Sequence, residues 1–406
     1  MKVGIFLTNS PPERGGGYTF ENELLQSLVK FGAKSGHTFV LFSWDKVQPQ
    51  EISAEHIQFV FLKRSLRERI GFKSRIASIF KKLRYPRTRF KIKNSLEKFV
   101  TKSILHSEVE IIWYLTPFFY PTMEVPYITV VWDLQHRLQP YFPEVSIGGQ
   151  WDLREQSAKI GLRRAAAIIT GSEAGKAEIE RFYQLPAENI KILPLPTPRF
   201  ALNAQIGDSK QVLAKYNIPG NYLFYPAQFW SHKNHVGLLL AVQLLRDKYD
   251  LVFPVVFVGS DKGNQQYIQQ IVAELDLVTQ VYFLGFVPQH DLILLYRQAI
   301  ALTFLSFFGP DNLPPLEAFA LGCPVVAANV SGAREQLGDA ALLVNPRDSE
   351  DIARAIKSLH DDQALYQTLI QRGLERASRW TGQDYVKGVL VILDEFEPIR
   401  RCWSSK

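Results

Sequence analysis

The sequence predicts an α/β protein made of two doubly wound domains in tandem. Two observations carry this. Continuous apolar runs of strand length alternate with helical segments, and the alternation occurs twice along the chain. A proline-rich break, LPLPTPRF at residues 193–200, separates the two series. Runs that are apolar throughout read as strands covered on both faces, and strands joined by helices form parallel sheets. A chain of 406 residues is also longer than one hydrophobic core usually supports. The expected division is therefore a Rossmann-like domain over residues 1–198 and a second over 199–380. A C-terminal helix, within 381–406, should return to the first domain.

The elements follow in order. KVGIFLT is the first strand, and Gly15, Gly16 and Gly17 form a loop after it. Leu24, Leu25, Leu28 and Phe31 recur at helical spacing and predict a helix over 20–31. HTFVLFSW, EIIWYL, YITVVWD and AAIITGS are further strands, and EAGKAEIERFY is a helix. After the break, the polar run ALNAQIGDSK completes an expected interdomain linker. NYLFYPA, LVFPVVFVGS, VYFLGF, IALTFLS, PVVAANV and ALLVN are the second set of strands. VGLLLAVQLLRDKY and EDIARAIKSLHDD are helices between them, and residues 384–397 make the last helix.

Composition narrows the function classes. Hydrophobic residues make up 46% and charged residues 21%, as in soluble enzymes. The two cysteines, Cys323 and Cys402, have no metal-ligand spacing and fit a reducing compartment. No apolar run reaches the ~20 residues that span a bilayer. The first residues are too short an apolar run for a signal peptide. A cytoplasmic location is expected. The net charge of +7 is concentrated: residues 63–102 hold 15 Lys/Arg against two acids, so the remainder is net acidic. Apolar residues interleave with the basic ones there, among them Leu66, Ile70, Ile76 and Ile79. The stretch reads as an interfacial element drawn to an anionic membrane surface, or as a solvated basic hairpin. Nucleic acid is the weakest reading, because no recognised binding motif accompanies the charge.

Three segments carry candidate chemistry. In residues 306–332, SFFGPDNLPPLEAFALGCPVVAANVSG, a strand leads through a loop into a helix. Prolines 310, 314 and 315 lack N–H groups, so the loop donors are Gly309, Asp311, Asn312 and Leu313. Pro314 and Pro315 suit the first helical turn. N–H groups ahead of a helix, with its positive dipole end behind them, form an anion site. Glu317, one turn in, is placed to accept from a ribose diol. The same loop also reads as a tight turn with an exposed glutamate. In YPAQFWSHKNHVGLLLAV, Lys233 ends a strand-to-helix loop and can set an ammonium against a diphosphate, stabilising it as a leaving group. His232 and His235 flank it and read as surface or capping residues. In YITVVWDLQHRLQPYFPE, Asp133 is a candidate for positioning a sugar hydroxyl, or an N-cap. His136, three residues on, is a second polar candidate in this loop. Gly16 and Gly17 let backbone approach a ligand closely.

These residues resemble glycosyltransferase family 4. Leu313-Pro314-Pro315-Leu316-Glu317-Ala318 and the following G-C-P-V-V run are similar to its E-x7-E signature. Glu317 falls on the second glutamate, which in the family binds the nucleotide ribose. The first glutamate, which contacts the donor sugar, falls on Gly309, and Asp311 or Asn312 is the expected substitute. Lys233-Asn234 is similar to the family's Lys-Asn turn, with Gln228 at the position of its arginine. Trp132 stands where the family's strand-end histidine would be, ahead of Asp133-Leu134. Ser172, Glu173, Gly259 and Gly285 are weaker matches.

The resemblance implies the GT-B architecture, two domains facing across a cleft, with the Gly15–Gly17 loop at the cleft. It implies a retaining glycosyltransferase that moves a hexosyl group from a nucleotide-diphosphate sugar to a glycan or lipid-linked acceptor. No Asp-x-Asp occurs, so the enzyme is expected to be metal-independent, with no cofactor beyond the nucleotide-sugar co-substrate. Lys233, Asp133 and His136 are the expected catalytic residues. Glu317, Gly309, Asp311, Asn312, Leu313, Gln228, Gly16 and Gly17 are the expected donor-binding residues. The rivals are a non-catalytic nucleotide-sugar-binding protein and a sugar-nucleotide epimerase of the same fold. An NAD-dependent oxidoreductase is disfavoured, since the first strand–turn–helix lacks G-x-G-x-x-G with a following acid.

Overall fold

The computed structural model describes residues 1–44, 54–62, 103–117, 125–205 and 209–403. The basic stretch at 63–102, and the membrane contact expected of it, lie outside the described residues.

The first sheet comprises β1 (Lys2–Phe6), β2 (Thr38–Ser43), β3 (Ile57–Phe61), β4 (Ile111–Trp113), β5 (Tyr127–Val131), β6 (Ala167–Thr170) and β7 (Ile190–Ile192). Its order is β3-β2-β1-β4-β5-β6-β7, and the pairings are parallel. The second sheet comprises β8 (Tyr222–Pro226), β9 (Val255–Val258), β10 (Val281–Phe283), β11 (Ala299–Phe304), β12 (Val325–Ala328) and β13 (Ala341–Val344). Its order is β10-β9-β8-β11-β12-β13, again parallel. The uniformly apolar runs form these strands because both sheet faces are covered: β5, β9 and β12 are buried at every residue. Strand order reverses next to β1 in one sheet and next to β8 in the other. Crevices open beyond the carboxyl ends of strands at such points. The loops leaving β1, β5, β8 and β11 carry the candidate residues.

The last helix runs from Gly382 to Arg400 and opens with a reciprocal Thr381/Asp384 capping box. It packs on the Gly16–Phe31 helix, where Tyr385 meets Phe20 edge-on at 5.4 Å. Gly382 sits so close to Glu23 and Ser27 that a Cβ would lie 2.3 Å from the Glu23 carboxylate.

The expected linker is more ordered than its composition implies. Arg199–Leu202 is a short helix. The backbone N–H of Leu195 donates to Asp311, that of Thr197 to the Trp380 carbonyl, and that of Arg199 to Glu23. Prolines removed some donors from this stretch, and three of those left are each pinned by a different element. Among the described residues, no helix is long and apolar enough to cross a membrane.

Candidate functional site

Between the two sheets lies a cleft of about 850 Å³, walled by both halves of the chain. Gly15, Gly16, Gly17, Trp132, Asp133, Gln135 and Glu144 come from the first half. Gln228, His232, Lys233, Gly309, Asp311, Asn312, Leu313 and Glu317 come from the second. The structure thus gathers at one crevice all the predicted site residues except His136.

Lys233 sits at the end of a turn that Asn234 holds. Asn234 adopts the left-handed conformation (φ 55°) and its side-chain oxygen accepts from Gly237 N–H, capping the His235–Tyr249 helix. Its amide nitrogen donates to the carbonyls of Leu305 and Pro346. The Lys233 ammonium lies 4.9 Å from the centre of the Phe304 ring. Among the described residues it has no carboxylate within ion-pair distance. Burial lowers its pKa to about 8, while the charges of Asp133 and Glu144 act in the opposite direction. A half-buried ammonium without a carboxylate partner can receive an anion without first giving up an internal salt bridge.

Across the cleft, the Gly16–Phe31 helix begins at Gly16 after Gly15, whose φ is 73°. No protein group among the described residues accepts from the N–H groups of Gly16 or Gly17. The positive end of a 16-residue helix therefore opens on the same crevice as Lys233.

The loop after β11 enters the Leu313–Ala320 helix, with prolines in its first turn as the sequence predicts. Glu317 is buried on this helix. One of its oxygens accepts from Tyr296 O–H at 2.7 Å. Burial raises its pKa to about 7, against the lowering effect of the Tyr296 bond. Tyr296 was not visible as a site residue, because it lies on a different helix and meets Glu317 only in the fold.

His136 is corrected by its placement, and three other expected residues are partly taken up by protein contacts. His136 does not line the cleft: its ring is buried behind the wall, 3.3 Å from Glu155 and 3.4 Å from the Tyr183 hydroxyl. The turn after Asp133 explains this, for Gln135 faces the cleft and His136 the interior. Asp311 spends its carboxylate on the Leu195 N–H and the Gln336 amide. Burial raises its pKa to about 7. It fastens the loop to the chain crossing. Asn312 donates its side-chain amide to the Gly309 carbonyl and its backbone N–H to Gln336. Of the four expected loop donors, Gly309, Asp311 and Leu313 remain. Gln228 bonds the Glu13 carbonyl, Ser260 and Trp230, so it bridges the two halves. Asp133 lines the cleft, and its carboxylate accepts from Gln135 N–H; the N-cap of the Gln135–Leu138 helix is Leu134, one residue on.

Gly309 has a structural reason to be glycine. Its φ is 137°, and a Cβ there would lie 2.7 Å from the Asn312 amide. The flanking histidines part ways. His235 is stacked between Tyr225 and Phe229, each at 4.8 Å, and burial lowers its pKa to about 3. It is a neutral core residue. His232 instead lines the cleft, and its ring Nδ1 and backbone N–H both contact Glu144 Oε1. Burial raises the Glu144 pKa, but the His232 bonds outweigh it and leave it below the ordinary value.

Further contacts join the two halves. Glu335 accepts from the N–H groups of Glu173 and Ala174, at the first turn of the Glu173–Tyr183 helix. Gln139 donates to the Phe307 carbonyl at 2.9 Å, and Phe142 stacks on Phe307.

Comparison with known proteins agrees with this architecture. Residues 209–376 match the family described as Glycosyl transferases group 1. The chain is 31% identical over 232 residues to O-antigen chain mannosyltransferase B of Escherichia coli, covering 57% of this chain and 61% of that protein. It is 28% identical over 201 residues to O-antigen chain mannosyltransferase RfbU of Salmonella typhimurium, covering 50% and 53%. The chain thus spans less than two thirds of the length of these curated relatives. Among solved structures, Anabaena HepE in complex with UDP-glucose superposes with a TM-score of 0.68 at 18% identity, covering 98% of this chain and 100% of that one. The fold is GT-B.

Proposed function

We propose that the protein is a retaining glycosyltransferase that moves a hexosyl group from a nucleotide-diphosphate sugar to a glycan or lipid-linked acceptor. The mannosyltransferase relatives make mannose the first sugar to test. The observation that carries the reading is the Lys233 ammonium, without a carboxylate partner, in one cleft with the open Gly16–Gly17 helix end. Together they suit two linked phosphates. Glu317, at the same crevice, suits the ribose diol. In this reading residues 1–198, with 381–406 returning to them, form the acceptor-side domain, and residues 199–380 bind most of the donor.

In this reading the bond from the anomeric carbon to the β-phosphate oxygen breaks, and its electron pair stays on the phosphate. The acceptor hydroxyl attacks from the same face and passes its proton to the departing phosphate oxygen. Lys233 and the helix end stabilise the charge that develops there, the work a divalent cation does in other sites. No protein nucleophile is required.

Incubation with GDP-mannose, GDP-glucose, UDP-glucose and UDP-galactose, with and without a mannose-containing acceptor, tests this. Release of nucleoside diphosphate with a lengthened glycan is the expected result. An epimerised sugar instead would identify the epimerase, and tight binding without turnover the non-catalytic protein.

A further inference from the structure

The transferred sugar needs partners that the loop at 309 cannot provide. A glutamate there would require a side chain at φ 137° and a Cβ against Asn312. Asp311 and Asn312, the neighbours able to substitute, are committed to Leu195, Gln336 and Gly309. The opposite wall has the reverse condition, with polar atoms in place and nothing to bind them.

Gln135 is 5% exposed, and its Nε2 has no hydrogen-bond partner among the described residues. The Glu144 side chain is also 5% exposed; Oε1 is held by His232, while Oε2 has no partner. Trp132 Nε1 is a third such atom. All three residues line the cleft. A buried polar atom without a partner is costly, and a ligand entering the crevice that these three residues line can supply the missing bonds.

The chemistry selects the ligand. Glu144 is an acceptor only and repels phosphate. Gln135 and Trp132 offer N–H donors. A hydroxyl is both donor and acceptor, so adjacent hydroxyls of a pyranose satisfy such a mixed set. His232 joins Glu144 to Lys233 by sequence, which puts this wall beside the proposed diphosphate, where the sugar bonded to it must lie.

We propose that Gln135 and Glu144, with Trp132 beside them, are specificity-determining residues that bind the hydroxyls of the donor sugar from the first domain, replacing the side chain absent at Gly309. This rests on the nucleotide-sugar reading above. Because Glu144 also grips His232 across the cleft, sugar recognition and closure of the two domains share one carboxylate.

The test is calorimetric titration of wild-type, Gln135→Leu, Glu144→Leu and Glu144→Gln proteins. The probes are the four nucleotide sugars named above, with GDP and UDP as sugar-free controls. Donor hydrolysis without acceptor is measured in parallel. The leucine variants should bind the preferred nucleotide sugar at least ~10-fold more weakly, and bind its nucleoside diphosphate within about twofold of wild type. Their preference between epimeric sugars should narrow, and Glu144→Gln should recover part of the loss. Equal losses for sugar and sugar-free nucleotide would reduce the residues to a structural role and overturn the proposal. A defect confined to the acceptor KM, with donor binding and hydrolysis intact, would also overturn it, reassigning the wall to the acceptor. If wild-type protein binds no nucleotide at all, the reading beneath the proposal falls with it.

Discussion

Lys233 and Glu317 titrate in opposite senses with respect to donor binding. Lys233 loses its positive charge as pH rises through about 8. Glu317 gains its negative charge, and its full capacity to accept from a diol, as pH rises through about 7. The profile of kcat/KM for the donor, which reports groups of the free protein, should therefore rise through about 7 and fall through about 8. Lys233→Arg should remove the alkaline fall, because a guanidinium stays charged. A profile flat through both values would contradict the assignment. That both residues reach the cleft could be expected from the sequence, because their types and loop positions suit that chemistry without knowledge of their partners. His136 was misplaced, and the side chains of Asp311 and Asn312 are held elsewhere, for the converse reason. Their polar groups are taken by Leu195, Gln336, Gly309 and Glu155, which lie far away in sequence or around a turn. Glu144 closed a segment already singled out, yet nothing local distinguishes a helix-initiating glutamate from one that reaches His232.

At the scale of elements, helix ends do much of the assembly. The Gly16–Phe31 helix offers its N-terminus to the cleft, Asn234 caps the helix that follows Lys233, and Glu335 covers the N-terminus of the Glu173–Tyr183 helix from the other half of the molecule. A carboxylate at a helix N-terminus is worth ~0.3–1 kcal/mol, enough to bias a domain closure but not to fix it. Glu335→Ala should accordingly raise the ligand-free radius of gyration in small-angle scattering, without lowering the melting temperature of either half. An unchanged radius would show that Glu335 does not restrain the domains. The strands were legible from their continuous apolar runs. The linker was not: polar, proline-rich composition signals an irregular chain. It does not reveal that Asp311, Glu23 and the Trp380 carbonyl hold it in place.

Across the whole molecule, two parallel sheets of seven and six strands present their loops to one shared cleft. The two parallel sheets followed from the double alternation and the break between, since parallel sheets have few ways to cover both faces; that they face one cleft was implied by the resemblance alone. The depth of the cleft, and which side chains reach it, came only with the packing. The most direct measurement is titration of GDP and UDP into wild-type and Lys233→Ala protein in the presence of a chelator. The account predicts that the wild type binds one of the two without a divalent cation, and that the variant binds it at least ~10-fold more weakly. Binding that needs a metal ion, or that is indifferent to Lys233, would contradict it.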